Sequence, residues 1–320
     1  MFYKAIRNAY RGMIYTRADD NGAVFYFSAE DFEGLEQEPF SFSSSDGHFL
    51  QGYFYSYPNA REDRLVVFEH GMGSGHRGYL REIELLARRG YLVFAYDHTG
   101  CMESGGETTG GFVQSLKDLD DALVALKAEK SLHGRQISVV GHSWGGFSTL
   151  NIAALHPDLH SVVALSGFLS VEKMLSQFFS GIMMRGVGKK LLQEETEKNP
   201  NWISCNAIDA LSDTDVKAMI IHSADDPVVK CDQHFDVLQR ALEGKENLRF
   251  LKVNGKRHNP NYTADAVAYK DEFFAIYKKE LKKKHLVSDE EKAAFVKRFD
   301  WKRMTEQDMT LWNEIFEFLA

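Results

Sequence analysis

The chain has 320 residues, 44% of them hydrophobic, with 38 basic and 46 acidic side chains and a net charge of -8. That size and apolar share bury a sizeable core, either as one large α/β domain or as a core domain carrying an insertion. The acidic balance excludes a broad basic surface for nucleic acid, and the one basic run, Lys278 to His285, reads as a solvated helix end where lysines complement the dipole.

Cys101, Cys205 and Cys231 are odd in number, far apart and form no C-x-x-C pair. They build neither a disulfide framework nor a zinc site, so a reducing compartment is expected. The first twenty residues are aromatic but interrupted by charges every few positions, and they lack the apolar segment and small-residue site of a secretory signal. No stretch approaches about 18 uninterrupted apolar residues. The expectation is a cytoplasmic chain without a membrane span.

In chain order, residues 40–57 alternate around an Asp46-Gly47 turn and predict a β-hairpin at a sheet edge. Residues 64–71 form a short buried strand, followed by a helix through Tyr79 to Arg89 that stops at Gly90. A strand over 91–100, a helix over 112–130, a strand over 136–143, a helix from Trp144 and a strand over 161–167 come next. Two further strands are expected at 216–224 and 248–255. Strands separated by helices imply right-handed crossovers and a mostly parallel sheet covered on both faces.

One interval breaks this rhythm. The residues between Gly167 and Val216 exceed what a single crossover helix needs, which points to an inserted helical cap over 168–215, flanked by a core of 1–167 and 216–320. Its Phe- and Met-rich stretch from Met174 to Leu192 reads first as the packed underside of a small lid and second as the lining of an apolar pocket. Near the C-terminus, Ser288 with Glu291 fits a helix capping box, and Thr305 with Asp308 a looser one. Met309, Trp312, Phe316 and Leu319 then recur at helical spacing, so this tail should pack on the domain.

The chemistry centres on VVGHSWGGF, residues 139–147. A serine hydroxyl is a poor nucleophile unless a base takes its proton and a turn holds it exposed. The G-x-S-x-G spacing of Gly141, Ser143 and Gly145 supplies such a turn, and it falls where that role requires, after a strand and before a helix. The Trp144 backbone N–H then opens a helix, a favourable place for an oxyanion. A second donor should come from the loop after an earlier strand, and the Met72 N–H within His70-Gly71-Met72-Gly73 occupies that place.

A base and an acid are needed downstream. His258 follows the last strand in a polar loop, and an imidazole titrates near neutrality, the range for moving a proton. The preceding strand ends in Asp225 and Asp226. Pro227 biases Asp226 towards extended backbone, while Asp225 can cap the turn with its own side chain.

From about residue 40 to 283 the chain resembles the α/β-hydrolase superfamily, particularly its monoacylglycerol-lipase-like, cinnamoyl-esterase-like and serine aminopeptidase-like branch. The resemblance rests on HGMGSGHRGY (70–79), FAYDHTGCMESGG (94–106), GHSWGG (141–146), SADDPVV (223–229) and GKRH (255–258). It implies an α/β-hydrolase fold in which Ser143 is the nucleophile, Asp226 the acid and His258 the base, with Met72 and Trp144 donating to the oxyanion. Two positions depart from the pattern: Cys101-Met102-Glu103 stand where a glycine-small-glycine turn is common, and Ser223 stands where the acid motif usually opens with glycine.

Other signals carry less. His156 and His160 are four apart but lack the glutamate of H-E-x-x-H, and Pro157 argues against one helix presenting both to zinc. The glycines at 105, 106, 110 and 111 are followed by no G-K-S/T, and Cys101 has no base assigned to it. The expectation is therefore a cofactor-free and metal-free serine hydrolase acting on a small to medium acyl or aryl ester. Amide or aminopeptidase-like cleavage by the same residues, or a ligand-binding protein without turnover, are the alternatives.

Overall fold

The computed structural model describes residues 2–58, 60–181 and 184–320. Eight strands form one sheet: β1 (Glu36–Ser43), β2 (Phe49–Ser56), β3 (Arg64–Glu69), β4 (Leu92–Tyr96), β5 (Gln136–His142), β6 (Ser161–Leu165), β7 (Lys217–Ser223) and β8 (Leu248–Val253). Their spatial order is β1-β2-β4-β3-β5-β6-β7-β8. The hairpin of β1 and β2 joins the edge of β4 antiparallel, and every pairing from β4 to β8 is parallel.

Continuous apolar runs explain the parallel part. In β3 the side chains of Leu65 and Val67 enter one core, while Val66 and Phe68 enter the other, because successive side chains point to opposite faces. Such strands are stable only when helices cover both sides. After the N-terminal α1 (Phe2–Ile14) come α2 (Leu80–Arg88), α3 (Gln114–Ala128) and α4 (Trp144–Ile152). Leu116, Leu119 and Leu123 of α3 and Phe147 and Leu150 of α4 pack on the Leu65 face, whereas Ile83 and Leu86 of α2 pack on the Val66 face.

Between β6 and β7 lie three helices, α5 (Val171–Phe178), α6 (Arg185–Lys198) and α7 (Ala207–Ser212). Met174, Leu175, Phe179, Val187 and Leu191 are buried and continuous with the core on the Leu65 face; Met183 of the Met-rich stretch lies outside the described residues. The chain continues through α8 (Phe235–Ala241), α9 (Ala264–Lys282), α10 (Asp289–Val296), α11 (Trp301–Met304) and α12 (Met309–Leu319). The basic run does end a helix, with Lys279 and Lys282 in the last turn of α9.

The two expected helix starts near the C-terminus fare differently. Ser288 and Glu291 form a complete capping box on α10. Thr305 caps nothing: its hydroxyl donates to the Trp301 carbonyl at the end of α11, and Asp308 starts α12 by accepting from the Thr310 N–H. Trp312, Phe316 and Leu319 are buried as expected, but Met309 is exposed because it occupies the first helical position, outside the packed stripe.

The sequence reading also missed α1, whose Tyr3, Arg7 and Tyr10 recur at helical spacing on the side that faces α6. Tyr3 and Arg7 bind Glu194, while the hydroxyls of Tyr10 and Tyr15 donate to Glu195 at 2.9 and 2.6 Å. Glu195 is buried, so these phenols are its substitute for water. Glu195→Ala is expected to lower the unfolding free energy by roughly 2–3 kcal/mol, measured by urea denaturation, because it strands two hydroxyls. A loss under about 0.5 kcal/mol would show that the carboxylate does not clamp α1 to α6.

Candidate active site

The loops after β3, β5, β7 and β8 all leave the carboxyl end of the parallel sheet, where α/β folds place their ligands. Ser143 sits between β5 and α4 with φ +57° and ψ -110°, a conformation that side chains other than glycine rarely adopt. Space for this turn comes from its neighbours. A Cβ on Gly141 would strike Thr149 and the Gly145 carbonyl, and one on Gly145 would strike the Glu69 backbone. Ser143 N–H donates to Leu165 O at 2.8 Å, which fastens the turn to β6.

The structure brings three of the expected residues together. His258 Nε2 lies 2.9 Å from Ser143 Oγ, and His258 Nδ1 lies 2.8 Å from Asp226 Oδ2. The other Asp226 oxygen accepts from the N–H groups of Val228 and Val229 at 2.8 and 3.0 Å. Burial by itself would raise the Asp226 carboxyl, but hydrogen bonds from His222 and His258, together with their charge, hold it well below the usual carboxylate range.

Asp225 faces elsewhere. Its Oδ1 accepts from the Ser223 hydroxyl at 2.6 Å and from the Gly255 N–H at 2.9 Å, so it ties the β7 end to the loop that carries His258. Ser223 also accepts from the Lys256 N–H. The serine that departs from the family pattern thus supports the base loop.

Buried groups that the sequence reading left unassigned hold the same loops. His142, beside Ser143, donates from Nε2 to the His258 carbonyl at 2.6 Å and accepts from the Tyr79 hydroxyl at Nδ1. Burial first, then the charge of His258, pushes the His142 imidazole down to about 3, so it stays neutral. His222 donates to the Val229 carbonyl at 2.8 Å. From α5, the Gln177 amide donates to Val228 O and accepts from Lys230 N–H, both at 2.8 Å. Their signal in the sequence was only residue type, since the partners lie far along the chain.

The two expected donors come from different loops. As the first residue of α4, Trp144 has an N–H without a carbonyl a turn earlier in its helix, and its indole donates to Phe112 O at 2.6 Å. Met72 lies in the loop after β3, partly exposed, and its N–H donates to no backbone carbonyl among the described residues. Among the discounted signals, His156 bridges Asp120 and Lys127, and the Cys101 thiol is buried and pushed up out of the reactive range.

The fold is shared with known proteins. An esterase of Pyrococcus furiosus superposes with a TM-score of 0.59, covering 84% of this chain and 98% of that one at 18% identity. A family model described as serine aminopeptidase, S33, matches residues 60–208. The chain has the α/β-hydrolase fold, and over residues 60–208 it is similar to that family. Among curated relatives, an uncharacterized Bacillus subtilis protein is 31% identical over 144 residues, 45% of each chain. A monoglyceride lipase of Rattus norvegicus is 28% identical over 116 residues, 36% of this chain and 37% of its own. In both cases the chain spans less than half of the relative's length. No described helix is long and apolar enough to cross a membrane.

A carboxyl depressed in the folded state contributes stability above its unfolded pKa, near 4, and loses it as pH falls through the folded value. Asp226→Asn is therefore expected to be less stable than wild type at about pH 6, with the gap closing as pH drops below about 4. Urea unfolding across that range reads the effect. A gap that stays constant with pH would contradict a carboxylate stabilised by its partners.

Proposed function

We propose that this α/β hydrolase is a serine hydrolase that cleaves a small to medium acyl or aryl carboxylic ester. The observation that carries this reading is the continuous contact from Ser143 Oγ through the His258 ring to Asp226, at 2.9 and 2.8 Å. Ser143 Oγ attacks the ester carbonyl while His258 Nε2 takes its proton. Asp226 keeps the other ring nitrogen protonated and stabilises the imidazolium without accepting its proton. The Met72 and Trp144 N–H groups receive the oxyanion. His258 then returns the proton to the leaving alkoxide, and water, deprotonated by the same ring, releases the acid.

The helices of residues 168–215 act as a cap in this reading. Gln177 ties α5 to the acid loop, and the Phe178 ring lies 6.4 Å from that of Phe112, whose carbonyl holds the Trp144 indole. Partly exposed Phe178 and Val228 offer apolar surface beside the polar site, which suits an acyl or aryl group better than a charged one. The description of the matched family favours a second reading, an amine leaving group cleaved by the same residues.

Ser143→Ala is expected to cut turnover of p-nitrophenyl esters by about 10⁴-fold or more with an unchanged melting temperature. Normal turnover in that variant would sink the assignment. A fluorophosphonate probe should label wild type at Ser143, and unlabelled folded protein would favour a binding protein without turnover. Faster hydrolysis of aminoacyl anilides than of any ester would shift the reading to the amide side.

A further inference from the structure

The oxyanion loop carries a buried histidine that the reaction itself does not use. His70 directly follows β3 and is fully buried. Its Nε2 lies 3.0 Å from the His98 backbone nitrogen, which can only donate, so Nε2 accepts and the ring proton resides on Nδ1. Nδ1 is 2.8 Å from the Gly71 carbonyl oxygen and donates to it.

The next step follows from the peptide bond. The Gly71 carbonyl and the Met72 N–H belong to one planar unit, and no cis bond occurs among the described residues, so the two groups point in opposite directions. Pinning the carbonyl therefore fixes where the N–H aims. Beyond the pin, Met72 is half-buried against the core and Gly73 is exposed, with open space where a Cβ would stand.

The environment keeps His70 in the required form. Burial, and then the charge of His98, hold its imidazole well below the ordinary value. That charge has a clear source. His98 is fully buried with Nε2 3.3 Å from Glu69 and Nδ1 3.6 Å from Asp118, and these carboxylates outweigh the burial that opposes its protonation. The His98 ring lies 4.3 Å from the His70 ring and 4.9 Å from that of Trp144, so one ring backs both arms of the proposed oxyanion site.

We infer that His70 is a positioning residue for the oxyanion site, its Nδ1–H fixing the Gly71 carbonyl and thereby aiming the Met72 N–H at the developing negative charge. The inference rests on the serine hydrolase reading. It differs from a packing role in one atom: a donor is needed where Nδ1 stands. An asparagine amide can place N–H there, whereas a glutamine amide, one carbon further out, cannot.

His70→Asn and His70→Gln should both fold, as polar amides of similar burial, and melting temperatures check this. With p-nitrophenyl esters, His70→Gln is expected to lose about 100-fold in kcat with KM nearly unchanged, the cost of a misaimed oxyanion donor. His70→Asn should stay within about 5-fold of wild type, kcat being referred to the fraction of Ser143 titrated by fluorophosphonate. Equal kcat in the two variants, or a better glutamine variant, overturns the inference. Wild type that takes up no probe overturns the underlying reading and the inference with it, whereas labelled wild type with a fully active His70→Gln overturns the inference alone. Should both variants fail to fold, 15N NMR of the wild-type histidines reads the donor directly: His70 is expected to carry its proton on Nδ1 across about pH 5–8, and a proton on Nε2 overturns the inference.

Discussion

The geometry at the carboxyl edge depends on one crowded turn. Ser143 holds a backbone conformation that costs on the order of 1–3 kcal/mol, and the fold retains it only because the surroundings over-determine it. Gly141 and Gly145 admit the backbone of β3 and α4 at distances no Cβ would allow. The hydroxyls of Ser148 and Thr149 donate to the Gly145 carbonyl at 2.8 and 2.7 Å, and the Ser143 N–H is fixed to β6. A strained serine between a rigid strand and a rigid helix cannot retreat, so its Oγ stays within 2.9 Å of the His258 ring.

Around that turn the loops are fixed by a repeated device. His70 donates to the carbonyl of Gly71, His142 to that of His258, and His222 to that of Val229. Each carbonyl belongs to a different loop, the ones bearing Met72, His258 and Asp226. Loops at a sheet edge lack ladder partners, and a buried backbone carbonyl without a donor is costly. An imidazole supplies the donor on a stiff ring with few rotamers to lose, and in His70 and His142 burial disfavours the second proton. In the wholly buried Glu69–His98–Asp118 group, burial pushes the Glu69 carboxyl up to about 7, while Glu69 and Asp118 together push the His98 imidazole up against its own burial.

Much of this was legible in the sequence, and for identifiable reasons. β3 and β5 announce themselves as β-branched runs because both their faces are buried, and the elbow is legible because a serine at positive φ leaves its glycine neighbours no alternative. The residues alone left Asp225 and Asp226 open, and only the resemblance favoured Asp226. Both are short carboxylates after one strand, and only the path of the backbone turns Asp226 to His258 and Asp225 to Gly255. Helix α1 was hidden since its partners, Glu194 and Glu195, lie more than 180 residues away. Thr305 misled because α11 is one turn long, too short to show a period, and its end absorbs the hydroxyl that seemed free to start α12. The histidine pins were illegible for the same reason as α1: composition gives the imidazole but not the carbonyl across from it.

The segment between β6 and β7 is tied at both ends, which constrains how it can act on the site. At α6, the Arg7–Glu194 pair is part-exposed and contributes little, whereas Glu195 is buried under two phenols and resists separation. At α5, Gln177 makes two neutral hydrogen bonds to the loop of residues 228–230, worth about 1 kcal/mol each. Val228 and Val229 in that loop also donate to Asp226, so displacement of α5 pulls on the carboxylate that orients His258. A wall coupled in this way to the acid cannot swing far without disturbing the ring it faces. For the proposed ester substrate, the width beside Ser143 is then set by side chains on a nearly fixed frame, to which α5 contributes the exposed Phe178.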